Sequence, residues 1–208
     1  MNHDGVEVPG WLNVSRETLE RLFVYCDLVE KWNPAINLIS KSGIAQIWDR
    51  HIIDSAQLIL QIPVQFDQWC DLGSGGGFPG IVLAILAKEL RPETQMILVE
   101  SDRRKSVFLS EAARLLDISV AVKSQRIEDL APQNVDVLTA RALAPLSSLC
   151  GYAHRHLKPD GVAIFPKGAT AAREIEDARK LWRFDCDMMR SHTDPESLVL
   201  AVRGLQLE

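Results

Sequence analysis

Ten residues, Asp71-Leu72-Gly73-Ser74-Gly75-Gly76-Gly77-Phe78-Pro79-Gly80, hold five glycines and one acid. Glycine serves where the backbone needs positive φ or a ligand must come close, and a helix starting just after offers free N–H groups and a positive dipole end. An anionic or zwitterionic ligand belongs at such a turn. Two kinds fit the spacing. Gly75-x-Gly77-x-x-Gly80 satisfies the dinucleotide fingerprint, with Glu100 placed 20 residues further on for ribose hydroxyls. Against this, Pro79 interrupts the fingerprint and Asp71 would set a negative charge beside a pyrophosphate. Asp71-x-Gly73-x-Gly75-x-Gly77 suits a ligand whose near end is an amino acid, since a carboxylate complements an ammonium. Glu100, closing the apolar run from Gln95, can accept from a ribose in either case; a solvated strand-end acid is the alternative. In Ser124-Gln125-Arg126-Ile127-Glu128-Asp129, Ile127 can cover an adenine face, although the segment equally reads as a helix cap.

A nucleoside with an amino acid end is S-adenosylmethionine, and the acid-led glycine pattern is similar to that of methyltransferases. Methylation of amino nitrogens in nucleic acids usually involves an Asn/Asp-Pro-Pro-aromatic motif after the fourth strand, and methylation of pyrimidine C5 needs a cysteine there. This chain instead reads Val135-Asp136-Val137-Leu138-Thr139-Ala140-Arg141-Ala142. Arginine cannot serve as a base at neutral pH. Chemistry needing no base fits, such as attack by guanine N7, whose lone pair is already exposed. Arg141 can orient the cofactor carboxylate or donate to guanine O6 while sparing N7; a structural ion pair is the other reading. His51, Asp54 and Ser55 suggest a hydrolytic triad only by inventory, because helical spacing puts them on one face without a strained nucleophile turn. Packing or RNA contact suits them better. Arg103-Arg104-Lys105 reads as a solvated helix start or a phosphate contact.

These residues need elements to hold them. Leu19, Leu22, Phe23, Cys26, Val29 and Trp32 recur at helical spacing after Ser15 as N-cap, and Asn33-Pro34 should end that helix. A second helical pattern runs from Ile44 to Gln61. From Phe66 the texture alternates apolar runs with amphipathic stretches, as in βα units. Strands are expected at 66–72, 95–100, 118–123, 135–140, 161–166, 184–191 and 197–203, with helices at 79–90, 102–117, near 126–130, 145–157 and 169–182. Lys158-Pro159-Asp160-Gly161 reads as a turn before the fifth strand. The connection His192–Glu196 is too short for a crossover helix, so the last two strands should pair antiparallel. The expected fold is α/β, a Rossmann-like class I S-adenosylmethionine-dependent methyltransferase: a seven-stranded, mostly parallel sheet with a terminal antiparallel hairpin. One domain should cover 1–208, divided into a helical extension over 1–62 and a cofactor-binding core over 63–208.

Composition narrows the class of protein. At 208 residues, 47% hydrophobic and 25% charged, the chain has the makings of one ordinary globular core. No apolar stretch approaches the ~20 residues that span a bilayer, so a cytoplasmic protein without membrane contact is expected. Cys26, Cys70, Cys150 and Cys186 are scattered without a CxxC pair, which suggests reduced core thiols and no metal. A net charge of −5 argues against a general nucleic-acid coat, so any RNA must meet a local basic patch.

The chain closely resembles the bacterial small-subunit ribosomal RNA methyltransferase G family, also called glucose-inhibited division protein B. The resemblance runs through Lys31-Trp32-Asn33, Asn37-Leu38, Arg50-His51-Ile52-x-Asp54-Ser55, the loop Asp71–Gly80, Ser124-x-Arg126-Ile127-Glu128, Arg141-Ala142 and Lys167-Gly168. It implies N7 methylation of a guanosine in 16S ribosomal RNA near the decoding region, on the assembled or assembling small subunit, with S-adenosylmethionine as donor. It further implies that Gly73 and Phe78 line the methionine part of the cofactor, Ile127 and Glu128 the adenosine part, and that Arg141 makes contact from the fourth strand. Asn37, His51 and Lys167 resemble family positions facing the substrate pocket. Glu100 stands where other members can carry Asp, and its longer arm should still reach a ribose. Without a sustained coiled-coil pattern, a monomer is expected. A nicotinamide-dependent oxidoreductase and a non-catalytic ribosome assembly factor are the competing functions.

Overall fold

A computed structural model of the chain describes residues 6–62 and 66–208, so the expected boundary between extension and core, at Pro63, lies outside the described residues. The first helix, α1, spans Arg16–Ile36. Ser15 caps it, its side chain accepting from the Thr18 N–H at 3.2 Å, and the Glu89 carboxylate accepts in turn from the Ser15 N–H and hydroxyl at 2.9–3.0 Å. Contrary to expectation the helix runs through Pro34. Proline fixes φ at a helical value, so continuing costs one backbone hydrogen bond and some crowding. The next turn is tied down locally: buried Asn33 accepts the Ile39 N–H on Oδ1 at 2.9 Å, and Asn37 caps the helix in the left-handed conformation at φ 49°.

The second helix expected over 44–61 is instead a chain of short pieces. A turn, α2, covers Lys41–Ile44, a π-helical turn Trp48–Ile53, α3 Asp54–Ala56 and a 3₁₀ turn Gln57–Gln61. The buried positions Ile47, Trp48, Ile52, Ile53, Ala56 and Leu58 do not keep one α-helical stripe. Changing pitch lets them all face the core, and π-turns commonly accompany functional positions.

The core begins with β1 (Gln68–Leu72) and continues as α4 (Gly80–Leu90), β2 (Gln95–Val99), α5 (Arg103–Leu115), β3 (Val120–Lys123), a 3₁₀ turn at Ile127–Asp129 and β4 (Val135–Ala140). Then come α6 (Leu146–His156), β5 (Leu157–Lys167), α7 (Ala171–Ala178), β6 (Trp182–Arg190) and β7 (Leu198–Leu207). The sheet order is β3-β2-β1-β4-β5-β7-β6. β1 to β5 pair in parallel, and β7 lies antiparallel between β5 and β6, so the expected seven-stranded sheet with its terminal hairpin is what forms. Lys158–Gly161 is an irregular excursion within β5 rather than a turn before it: Val135 pairs with Leu157, and Val137 already pairs with Val162.

Both faces of the sheet are covered. One packs α1, the π-turn, α4 and α5 around Trp69, Leu98 and Val137; the other packs α6 and α7 around Cys70, Leu138 and Phe165. Residues 80–87 of α4 are all buried, which explains why that helix is apolar on every side. Among the described residues no helix is long and apolar enough to cross a membrane, and Cys26, Cys70, Cys150 and Cys186 are all free.

Candidate active site

The strand order reverses between β1 and β4, and the site opens there, at the carboxyl ends of β1, β2 and β4, where ligands settle on doubly wound sheets. A cavity of about 370 Å³ is lined by Gly73, Gly75 and Phe78 of the loop, by Glu100 after β2, and by Ile127 and Glu128 after β3. Gly73 sits at φ 67°, and a Cβ there would lie 2.7 Å from Leu143 Cδ1, so both conformation and space demand glycine. The Glu100 carboxylate accepts the Gly75 N–H on one oxygen at 2.8 Å and the Asp102 N–H on the other at 2.7 Å. Each oxygen keeps a second lone pair, so the carboxylate is held in one orientation while able to accept a diol's hydroxyls. Glu128 accepts from Tyr152 Oη at 2.7 Å and pairs with Arg126 at 3.3 Å, giving a polar edge beside the apolar Ile127.

Asp71, Gly77 and Asn37 are among the singled-out residues that stand outside this cavity's wall. Asp71 is fully buried behind the loop: Thr139 Oγ1 donates to its Oδ1 at 2.7 Å, and its Oδ2 lies under the first residue of α4, where a Cβ on Gly80 would approach to 2.7 Å. Burial pushes its carboxyl up to about 6 against the opposing pull of Thr139. A carboxylate so placed braces the loop and the α4 N-terminus rather than touching an ammonium directly. Gly77, at φ 90°, is where the loop crosses α1, since a side chain would strike Ile81 and the Tyr25 hydroxyl. Asn37 is the exposed cap of α1 and lines neither this cavity nor its neighbour; Leu38 and Ile39, just after it, reach the cofactor cavity.

A second cavity, about 630 Å³, shares Arg141, Ala142 and Leu143 with the first and extends to Asp54, Lys167, Glu174 and Ser197. Arg141 stands at the seam. Its Nη1 donates to Asp54 Oδ2 at 3.0 Å and to the Arg50 carbonyl at 3.2 Å, its Nη2 meets His51 Nδ1 at 2.7 Å, and its guanidinium lies 5.5 Å from the Phe78 ring centre. The structural ion pair foreseen for it is thus present, with Asp54 as the acid. Arginine has only donors, so His51 must accept on Nδ1 and carry its proton on Nε2. Burial, with Arg141 and Arg50 nearby, lowers the His51 imidazole to about 4. It is therefore neutral at physiological pH, with its basic nitrogen occupied. Ser55 Oγ is buried without a partner among the described residues, so the triad reading finds no nucleophile–base contact. Lys167 Nζ donates to the Ala144 carbonyl at 2.9 Å and Glu174 at 2.7 Å, on the wall of the second cavity. Of the basic cluster, Arg103 and Arg104 are exposed and Lys105 reaches the cofactor cavity's rim.

Sequence reasoning missed Tyr25, which is fully buried and donates its hydroxyl to the Gly76 carbonyl, holding the glycine loop from beneath. Its spacing from Leu22 and Val29 was the available signal. Tyr152 and Glu174 gave none, because Tyr152 meets Glu128, and Glu174 the Leu146 N–H, only once the chain has folded.

The first cavity brings together a glycine turn, a fixed carboxylate and an apolar side chain, groups of the kind a zwitterionic nucleoside needs. Comparison with known proteins agrees. A solved S-adenosylmethionine-dependent methyltransferase from Aquifex aeolicus superposes with a TM-score of 0.58 at 14% identity, over 79% of this chain and 97% of that one, a likeness of fold. Curated proteins named ribosomal RNA small subunit methyltransferase G are 55% identical in Ruegeria pomeroyi, over 93% of this chain and 95% of that protein, and 52% identical in Cereibacter sphaeroides, over 99% of both. The family model for rRNA small subunit methyltransferase G matches residues 18–196. The dinucleotide reading of the loop gives way to that agreement, and the chain belongs to the rRNA small subunit methyltransferase G family, with S-adenosylmethionine as its cofactor.

Proposed function

We propose that the chain methylates the N7 position of a guanosine in 16S ribosomal RNA near the decoding region, acting in the cytoplasm as a monomer on the small subunit. The observation that carries this reading is the seam between the two cavities, where among the described residues each candidate proton acceptor is already engaged: His51 Nδ1 by Arg141, a permanent cation, Asp54 by Arg141 and Glu174 by Lys167. An acceptor entering the larger cavity must bring its own lone pair. Guanine N7 does so. Bound in the first cavity, S-adenosylmethionine would supply an electrophilic methyl on a sulfonium, so that an N–C bond to the acceptor's lone pair would replace the C–S bond, whose electrons stay with the thioether sulfur, and no proton would need removing. Binding in the first cavity falls to Gly73, Gly75, Phe78, Glu100, Ile127 and Glu128, with Asp71 and Gly77 supporting the loop from behind. Arg141 packs over the Phe78 ring at the seam, and a positioned pair of reactants can supply much of the barrier lowering without acid–base help. Lys167 and His51 border the acceptor's side.

The test is to incubate the protein with radiolabelled donor and small subunits purified from a strain lacking the enzyme. One methyl group per subunit is expected, and about a hundredfold less with Arg141→Ala. An unchanged subunit would sink the reading. Full biological effect from the methylation-dead Arg141→Ala variant would favour the assembly factor.

A further inference from the structure

The connection between β6 and β7, residues 191–197, belongs to the sheet by sequence but is held by the helical extension. Gln57 is fully buried, 134 residues away in the chain, yet its Nε2 donates to Ser191 Oγ at 3.0 Å and its Oε1 accepts the His192 N–H at 2.8 Å. The same Nε2 donates to Asp54 Oδ1 at 2.9 Å, and Thr193 Oγ1 donates to that oxygen at 2.8 Å. The other Asp54 oxygen holds Arg141 at 3.0 Å. Ser191 and Ser197 of the connection line the larger cavity together with Asp54, Gln57 and Arg141.

We propose that Asp54 is the positioning residue of the acceptor site: one carboxylate oxygen sets the Arg141 guanidinium at the seam of the two cavities, and the other, with Gln57, fixes the 191–197 connection as the acceptor's wall. The proposal rests on the larger cavity being the acceptor's place. A single carboxylate spanning both attachments makes wall and cation move as one unit, so the acceptor meets a preformed slot whose depth is set by the extension. Multiply bonded, and in Gln57's case fully buried, Asp54 and Gln57 cannot reorient without abandoning partners, which is what a rigid positioning shell requires.

Three variants of the full chain separate these roles. Gln57→Leu and Thr193→Val remove wall contacts without touching Arg141; each should raise the KM for small subunits about tenfold with kcat within about twofold, and Thr193→Ser should restore the parent value. Asp54→Asn should lower kcat about tenfold or more, because it loosens Arg141. In all three, S-adenosylhomocysteine affinity measured by calorimetry should stay within about threefold, and amide hydrogen exchange over 191–197 should rise about tenfold or more. Unchanged exchange in Gln57→Leu and Asp54→Asn overturns the proposal, as does cofactor affinity that falls in step with activity, which marks a merely structural role. Exchange is read without RNA, so a parent protein that methylates no subunit would overturn the proposed function alone.

Discussion

Arg141, placed by β4, is held by Asp54, the Arg50 carbonyl and His51, all from the extension, and by the face of Phe78 from the glycine loop. Those attachments restrict a flexible side chain to one position, which sequence could not reveal because every partner but Phe78 lies about ninety residues away. Glu100 shows the opposite case. Its place after an apolar run was readable from the chain, and the structure adds that two backbone N–H groups fix it. Glu100→Ala strands both donors and removes the ribose acceptor, so S-adenosylhomocysteine affinity measured by calorimetry should fall about a hundredfold, while Glu100→Gln, keeping one acceptor, should lose less. Asp71 was read as a ligand for an ammonium; the structure buries it behind the loop against Thr139, a placement that depends on which way a strand-end side chain turns. Its carboxyl is raised from 3.8 to about 6 by burial, so its folding contribution is full below about pH 4 and lost as pH rises through 6. Asp71→Asn should therefore gain stability relative to the parent on going from pH 5 to pH 8, by about 1.5 kcal/mol at most in urea unfolding. An equal difference at both pH values would contradict a desolvated carboxylate. His51 works in the opposite sense, lowered from 6.5 to about 4, so its contribution is full above about 6.5 and lost as pH falls through 4. Comparison of the variant with its parent cancels that effect.

At the scale of elements, the strands and the helices between them were legible because each writes its own periodicity locally, and the hairpin followed from a connection too short for a crossover. The pieces from Lys41 to Gln61 were not legible as they stand. A single α-helix satisfies most of the same apolar positions, and only packing against α1, α4 and the connection 191–197 selects the changes of pitch. The end of α1 was misjudged for a related reason: Asn33-Pro34 disfavours a helix locally, and the buried Asn33 side chain overrides that preference. Asn37 then has a role that its sequence neighbourhood did not disclose. At φ 49° it should tolerate glycine, whereas Asn37→Ala should lower stability by about 1 kcal/mol, read as a fall of a few degrees in Tm. Cofactor affinity should be unchanged in both; a large loss in Asn37→Gly would show that the amide serves the ligand.

Across the whole molecule, the extension does more than decorate a cofactor-binding core. It supplies Tyr25 beneath the glycine loop, Leu38 and Ile39 at the first cavity, Asp54 and Gln57 at the larger one, and His51 against Arg141. Both cavities are thus completed by residues that precede the first strand. Because no side chain at the seam must gain or lose a proton, methyl transfer to subunits at saturating donor should be flat between about pH 7 and 9; a rate rising tenfold per pH unit would reveal a base that the site does not display. The measurement that bears most directly on the account is nucleoside mass spectrometry of 16S RNA after incubation with the protein and donor. A single 7-methylguanosine, mapped near the decoding region, is the expected product. A methyl group found on an exocyclic amine, a ribose hydroxyl or a pyrimidine carbon would contradict a site that works without a base.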